Sequence, residues 1–361
     1  MKYCYKTIII VLIFLWRCHA VAQEITIAGI ICDEDTKLPI SNVYVYLDGT
    51  SIQTITDNSG KFELKPKSVI NTKLVIQHLS YETAIIDHPF EALPDTMYIQ
   101  EQMQSLFEVA VTADRFSRRQ KMKAFHEQFL GMSRAGRSCT IKNEDDIQLY
   151  FNMQAQRLSA FSDKPIVVVN NYLGYEISFM LIDFWAQYGS FGSVSVRGVS
   201  SLDNDNIQSS FFAVVSSFSD IAPDNNRIKQ RRDNVYERSA NYFFKSFAGD
   251  ALAENQFTLY NNSFPVNYQD YFSITDTLSQ KTINIIPGTD INKDNRAEYF
   301  DSKLTGSISV LYRKNVRSDI YFMTDSFLVD RYGNIDQINK ILFNGQMGNN
   351  RAGDMLPIDY E

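Results

Sequence analysis

The sequence predicts a mainly β protein with an α+β C-terminal part: a β-sandwich, then a larger, mostly antiparallel sheet domain carrying helices. Three observations predict this. Short β-branched and aromatic runs separated by turn signals crowd residues 25–112, the spacing of a sandwich or barrel. Strand-like runs resume beyond residue 160, and stretches with helical periodicity interrupt the series. At roughly 340 residues after the N-terminal segment, the chain is long enough for two domains that each bury a core.

The first element is a targeting segment. Lys2 and Lys6 precede an apolar run from Thr7 to Trp16, and Ala20-Val21-Ala22 supplies a small-x-small site, so residues 1–22 are expected to be a secretory signal peptide cleaved after Ala22. The apolar run is about half the ~20 residues of a membrane-spanning helix. Cys18 follows Arg17 where lipidation needs a small residue, so it is expected to leave with the signal. Cleavage removes three of the 35 basic residues, leaving 32 against 42 acidic ones. This balance argues against nucleic acid as a partner. Cys32 and Cys139 are the cysteines that remain, too few for a disulfide framework, and they are expected to be small buried hydrophobes.

The strands expected next are 25–31, 43–47, 51–56, 61–64, 73–78, 81–86 and 96–99, with 108–112 closing the series. In Val43-Tyr44-Val45-Tyr46-Leu47 the alternation puts Val43, Val45 and Leu47 on a core face and the two tyrosines on the other. Asp57-Asn58-Ser59-Gly60 is a turn, with side chains able to bond the backbone and a glycine free to take positive φ.

The order Gly29 to Asp33, Thr36, Leu38-Pro39-Ile40, Val43 to Val45, then Thr56-Asp57-Asn58-Ser59-Gly60-Lys61-Phe62 resembles the carboxypeptidase regulatory-like domain. The resemblance covers residues 23–112 and implies a seven-stranded transthyretin-like sandwich. It implies no peptidase activity, because such modules resemble a domain that accompanies the peptidase and lacks its zinc site. In the Gram-negative envelope the module commonly precedes another unit as a spacer or docking element. One such context is the TonB-dependent receptor, into whose plug a sequence like Glu108 to Ala113 leads. Here the chain turns basic and helix-like after Ala113 and is too short for a plug and a 22-stranded barrel, so that function is not carried over.

Residues 113–361 are expected to form an aromatic-rich α+β domain. Residues 115–130 read as an amphipathic helix with a basic start and with Phe125, Phe129 and Leu130 near one face; the charge is expected to be a solvated face joining the domains. A second helical stretch runs over 227–253. Strands are expected at 166–170, 177–184, 193–199, 211–218, 272–275, 282–286, 304–312 and 320–329. This part is similar to a segment following the same module in uncharacterised exported proteins, sharing Phe129-Leu130-Gly131, Asn170 to Leu173-Gly174-Tyr175, and Arg231-Arg232 to Tyr236. The similarity implies no activity.

Few residues suggest chemistry. His88 and Glu91 have a zinc-ligand spacing but lie beside Pro89 in a loop, and a zinc site needs a further distant histidine. The loop from Asp290 to Asp301 loosely follows a calcium loop, with Asn295 in place of the turn glycine and Asp301 in place of the bidentate glutamate; a polar hairpin is expected there and at Asp203 to Asn206. No nucleophile elbow, phosphate loop, His-Glu-x-x-His or Cys-x-x-Cys occurs. His78, His88 and His126 all lie in or near the first module, which excludes a histidine triad in the large domain. Tyr172, Tyr175, Phe184, Trp185 and Tyr188 suggest a carbohydrate platform, but their apolar neighbours favour a core. No catalytic, cofactor or metal residue is therefore assigned. The expectation is a non-catalytic exported protein of the periplasm or outer membrane, docking a protein or glycan partner and carrying no transmembrane helix once the signal is removed. The alternative is a carboxylate-based hydrolase of the periplasm or cell surface, in which two carboxylates face each other across a pocket.

Overall fold

The computed structural model describes residues 25–102, 115–189, 201–261, 263–277, 279–289 and 306–361. The signal segment, the runs 108–112 and 193–199, and the loop from Asp290 to Asp301 lie outside the described residues. The protein is mostly β.

The N-terminal sandwich contains β1 (Ile27–Asp33), β2 (Tyr44–Leu47), β3 (Gln53–Ile55), β4 (Lys61–Leu64), β5 (Leu74–Gln77), β6 (Ala84–Ile86) and β7 (Thr96–Ile99). They form two sheets, β4-β1-β7 and β3-β2-β5-β6. Pairing is antiparallel except between β1 and β7. Val43, Val45, Leu47, Leu74 and Ile76 fill the space between the sheets with no exposure, as the alternation predicts. The opposite face is buried as well. Tyr46 is 2% exposed because the next part of the chain covers that face.

In the middle part, α1 (Arg118–Phe129) starts at a capping box between Ser117 and Gln120. It lays Phe125 and Phe129 on a six-stranded antiparallel sheet. The strands are β8 (Cys139–Ile141), β9 (Gln148–Asn152), β10 (Arg157–Phe161), β11 (Ile166–Asn170), β12 (Tyr175–Tyr188) and β13 (Ile207–Asp220). β12 and β13 pair over nearly their full length, about 45 Å at the usual rise. Along β12 the buried set runs Tyr175, Ile177, Phe179 and Leu181, then Phe184, Ala186 and Tyr188. A register shift between Leu181 and Asp183 changes the phase. The bulge thus keeps both aromatic groups on the core face, where strict alternation would expose the second group.

The stretch expected as one helix over 227–253 is two, α2 (Asn226–Tyr236) and α3 (Ala240–Ala248). Ser239 causes the break: its Oγ donates to Tyr236 O at 2.7 Å, closing the first helix, and accepts from Tyr242 N at 3.1 Å, capping the second. Beyond α3 come β14 (Phe257–Asn261), β15 (Phe264–Val266), β16 (Phe272–Asp276), β17 (Lys281–Ile285), β18 (Gly306–Tyr312), β19 (Val316–Phe322), β20 (Ser326–Val329) and β21 (Ile341–Gly345). They make two antiparallel sheets, β15-β14-β18-β19-β21 and β16-β17-β20, closed over Phe243, Phe244 and Phe247 of α3. The run expected as a single strand over 320–329 divides because the chain changes sheets between β19 and β20. Residues 115–361 therefore hold two hydrophobic cores.

The last residues return to α1, to the module and to α2. Gly353 N donates to Leu130 O at 3.1 Å, Ile358 N to Gly49 O at 2.8 Å, and Tyr360 Oη to Asp233 at 2.6 Å. No helix among the described residues is long and apolar enough to cross a membrane.

Candidate functional site

The sandwich and the middle sheet meet along the outer face of β2 and β5. Tyr46 and Val75 pack on Val215, with Tyr44 and Met180 at the margin. The backbones bond as well: Gly49 N donates to Ser216 O at 2.7 Å and Phe218 N to Thr50 O at 2.9 Å, around a parallel bridge between Thr50 and Ser217. Beside it the Asp48 carboxylate accepts from Ser216 N at 2.7 Å. Burial pushes its pKa up to about 6, against the opposing pull of that bond and of Lys73.

A second junction joins the sandwich to the C-terminal sheets. Asp330 is 3% exposed and accepts from the backbone N–H groups of Asn71, Tyr332 and Asn334 and from Asn334 Nδ2, at 2.8–3.0 Å. Asn334 also accepts from Asn241 of α3 and donates to Ile358 O. Desolvation still raises the Asp330 pKa, because burial outweighs those four bonds.

Where the first junction opens to solvent, a cleft of about 660 Å³ separates the end of β5 from the loop joining β10 and β11. Gln77, His78 and Thr83 line one wall; Asp163, Lys164 and Ser178 line the other. Gln77 is 9% exposed, and its Nε2 has no hydrogen-bond partner. His78 meets Tyr81 edge-on at 5.2 Å. Its Nδ1 accepts from Ser80 N at 3.2 Å. Lys164 is held by Asp146 at 2.9 Å.

Within the sandwich, the residues singled out in the sequence are joined by turn bonds. Thr56 Oγ1 donates to Ile40 O at 2.8 Å and accepts from Val43 N at 2.9 Å, tying the Pro39 turn to β2. Asp57 Oδ1 accepts from Ser59 N, Ser59 Oγ and Lys61 N. Gly60 follows at φ 72°, where a Cβ would lie 2.5 Å from Ile31 O. Asp33 Oδ1 accepts from the N–H groups of Asp35 and Thr36 and from Thr36 Oγ1. One physical arrangement thus requires the Pro turn and the Thr-Asp-x-x-Gly turn together. Residues 27–111 match the CarboxypepD_reg-like domain family model. No curated protein and no solved structure matches the chain. In the regulatory-like module the side chains of Asp33, Thr56 and Asp57 are engaged in these turns.

The three patterns noted beyond the module converge in space. Arg232 of α2 is 5% exposed. It donates from Nε to Leu173 O at 2.6 Å, from Nη2 to Gly174 O at 2.9 Å, and bidentately to Asp220 at 2.7 Å. Its guanidinium lies 3.9 Å from the Tyr175 ring centre, and it holds the Asp220 carboxyl below the usual range. Asn170 donates to Gly353 O, and Gly353 in turn reaches Leu130, so Phe129-Leu130-Gly131 joins the same assembly through the tail. Every polar group of the Arg232 side chain named here is paired within the chain. This is a structural hub.

The other candidates are placed as follows. His88 and Glu91 form a turn, with Glu91 N bonded to His88 O, and both are exposed. Asn204 of the Asp203 stretch accepts from Gln128, and Asp203 pairs with Lys123. Among the described residues no three His, Cys, Asp or Glu side chains gather as metal ligands. Tyr175, Phe184 and Tyr188 are core residues. Trp185 faces outward, stacked 5.9 Å from Phe211 with Arg157 4.6 Å from its ring centre, so it forms a cross-strand ladder. The basic start of α1 edges a groove of about 650 Å³. There Arg118 bonds Ile147 O and Glu144 O, Lys123 pairs with Glu127, and His126 with Glu144. Cys32 and Cys139 are both free thiols, and burial pushes that of Cys139 up to about 12.

Proposed function

We propose that this chain is a non-catalytic exported protein of the periplasm or outer membrane. In it the regulatory-like module, residues 23–112, is a rigid mount for an interaction part, residues 113–361. The observation that carries the reading is the first junction. The module is fixed by backbone bonds from Gly49 and Thr50 to β13 and by the buried Tyr46, Val75 and Val215 cluster. A flexible tether would need none of these.

Export is supported by the Lys2 to Ala22 pattern. Against the hydrolase alternative, the cleft is lined by a single carboxylate, Asp163. The groove beside α1 holds Glu127, paired with Lys123, and Glu144, bonded to the His126 ring. Partners of a docking protein are expected among envelope proteins or glycans.

The test is expression of the complete chain in a Gram-negative host, with fractionation, mass analysis of the N-terminus and affinity capture from the envelope. The expected result is a chain beginning at Gln23 in the envelope fraction that retains the same partner in repeated captures. A chain left uncleaved in the cytoplasm, or a pure mature chain that cleaves a glycan or peptide, would overturn the proposal.

A further inference from the structure

We infer that two copies of this chain join along the free edge of β13, strand to strand and antiparallel, making one sheet of their two middle sheets. This goes beyond the docking reading and does not depend on it. The direction of the edge groups follows from the first junction. Phe218 N donates to Thr50 O, Gly49 N donates to Ser216 O, and Ser216 N donates to Asp48, so Ser216 and Phe218 turn their backbone groups away from β12. That direction alternates along an antiparallel strand. The extra residue at the shift between Leu181 and Asp183 lies on β12, so β13 keeps its alternation, and Ser210, Phe212 and Val214 also turn N–H and C=O outward. Among the described residues none pairs with those groups.

The other edges of this sheet are protected. β8 has only three residues. At the start of β9, Arg118 donates to Ile147 O at 3.0 Å and Lys121 to Leu149 O at 2.9 Å. Short edge strands and edge cations are the usual devices that keep sheets from pairing with one another. On β13 the run Ser209-Ser210-Phe211-Phe212-Ala213-Val214-Val215 contains neither a charge nor a proline. Phe211 is 45% exposed there, beside Trp185 on the outer face.

The limits of the run point to a second copy as the occupant. The module already holds this edge from Ser216 onward. At the other end Gln208 is the extra residue in the shift between Gln187 and Tyr188, and such a residue bends its strand and ends regular pairing. The free run is therefore 209–215, and its middle residue is Phe212. Antiparallel pairing centred there sets Phe212 opposite its own copy and each Ser210 opposite Val214. Every outward N–H and C=O of both runs is then bonded. The same register sets each Phe211 beside the small Ala213 of the other copy. It also brings Gln208 opposite Ser216, so the partner strand bends away where the module begins. A two-fold contact of this kind satisfies both unpaired edges at once.

The experiment is sedimentation equilibrium of the chain from Gln23 to Glu361 at about 1–200 μM, for wild type, Phe211→Lys and Ser210→Pro. The lysine puts a charge on the edge, and the proline deletes an outward N–H that the single chain does not use. Wild type is expected to dimerise in that range, and both substitutions to raise the dissociation constant about tenfold or more without lowering the melting temperature of the dilute chain. Copies carrying Phe211→Cys mixed with copies carrying Ala213→Cys are expected to form a disulfide between chains, because those positions face each other in a closely spaced pair. Where a substitution also lowers the melting temperature, this cross-link decides. A wild type that stays monomeric at about 200 μM, a dimer that neither substitution weakens, or mixed cysteine copies that do not cross-link would overturn the inference. A monomer that still captures an envelope partner removes the dimer and leaves the docking reading.

Discussion

Replacing Asp48 with Asn isolates the electrostatics of the junction that holds the module. Burial raises the Asp48 carboxyl from 3.8 to about 6, so folding favours its protonated form. The stability this contributes is fully present below pH 3.8 and is lost as the pH climbs through 6. At about 1.4 kcal/mol per pH unit, that span is worth roughly 3 kcal/mol. Asparagine has no proton to release, and its Oδ1 can still accept from Ser216 N, which lies 2.7 Å from the aspartate oxygen. The assay is urea unfolding of wild type and Asp48→Asn at several pH values from 4 to 7. Wild type is expected to lose roughly 2.4 kcal/mol relative to the variant across that range, because about 0.5 kcal/mol of the full span is already lost at pH 4, ending less stable than Asp48→Asn at pH 7. The other buried carboxyls with raised values, Asp330 and Asp354, are common to both proteins and cancel in the comparison. Parallel pH curves would refute the argument. So would a wild type that gains on the variant with rising pH, since the Ser216 bond and Lys73 would then outweigh burial.

Arg232→Lys is expected to lower stability by about 2–4 kcal/mol, because an ammonium cannot meet Leu173 O, Gly174 O and both Asp220 oxygens at once. An unchanged calorimetric melting temperature would show that the hub does not depend on the guanidinium fork. Thr56→Val, at a 3% exposed site, should cost about 2 kcal/mol by stranding Ile40 O and Val43 N, and Thr56→Ser should recover most of it; equal unfolding midpoints for Val and Ser would refute this. Ending the chain after Pro357 removes the bonds of Ile358 to Gly49, Asp359 to Ser51 and Tyr360 to Asp233. Hydrogen exchange at Ser51 should then speed up while α1 stays protected, and an unaltered Ser51 would show that the tail is dispensable there.

Much of the sandwich was legible because its signals are local. Val43, Val45 and Leu47 alternate within one strand, and Asp57 and Gly60 act within one turn. The role of Tyr46 was less legible: its face is buried by Val215, some 170 positions later, and no periodicity within β2 records that partner. The helix break at Ser239 was masked by continuous helical residues on both sides, although a serine before Ala240 is the local cap signal. β8, β9 and β10 were not anticipated because they are short and only partly buried. The phase change at Leu181 to Asp183 makes β12 look like two shorter patterns. The cleft had no sequence signal, since Gln77 and Ser178 carry no motif and meet only when two units dock. Arg232 was visible as part of a pattern, but its role depends on carbonyls near residue 173 and on Asp220.

The returning tail bears on the order in which the molecule is made. The bonds from Gly353, Ile358 and Tyr360 reach α1, the module and α2 respectively. The module, whose core is built mainly within residues 27–99, can gather its own strands early in synthesis. The bonds of Gly49 and Thr50 to β13 can form before the tail is made, whereas the contacts of residues 353–360 with α1, the module and α2 are added only after it. A chain clipped just before residue 358 would therefore keep the junction to β13 and the Gly353 bond to Leu130, and lose the second fastening at Gly49, Ser51 and Asp233.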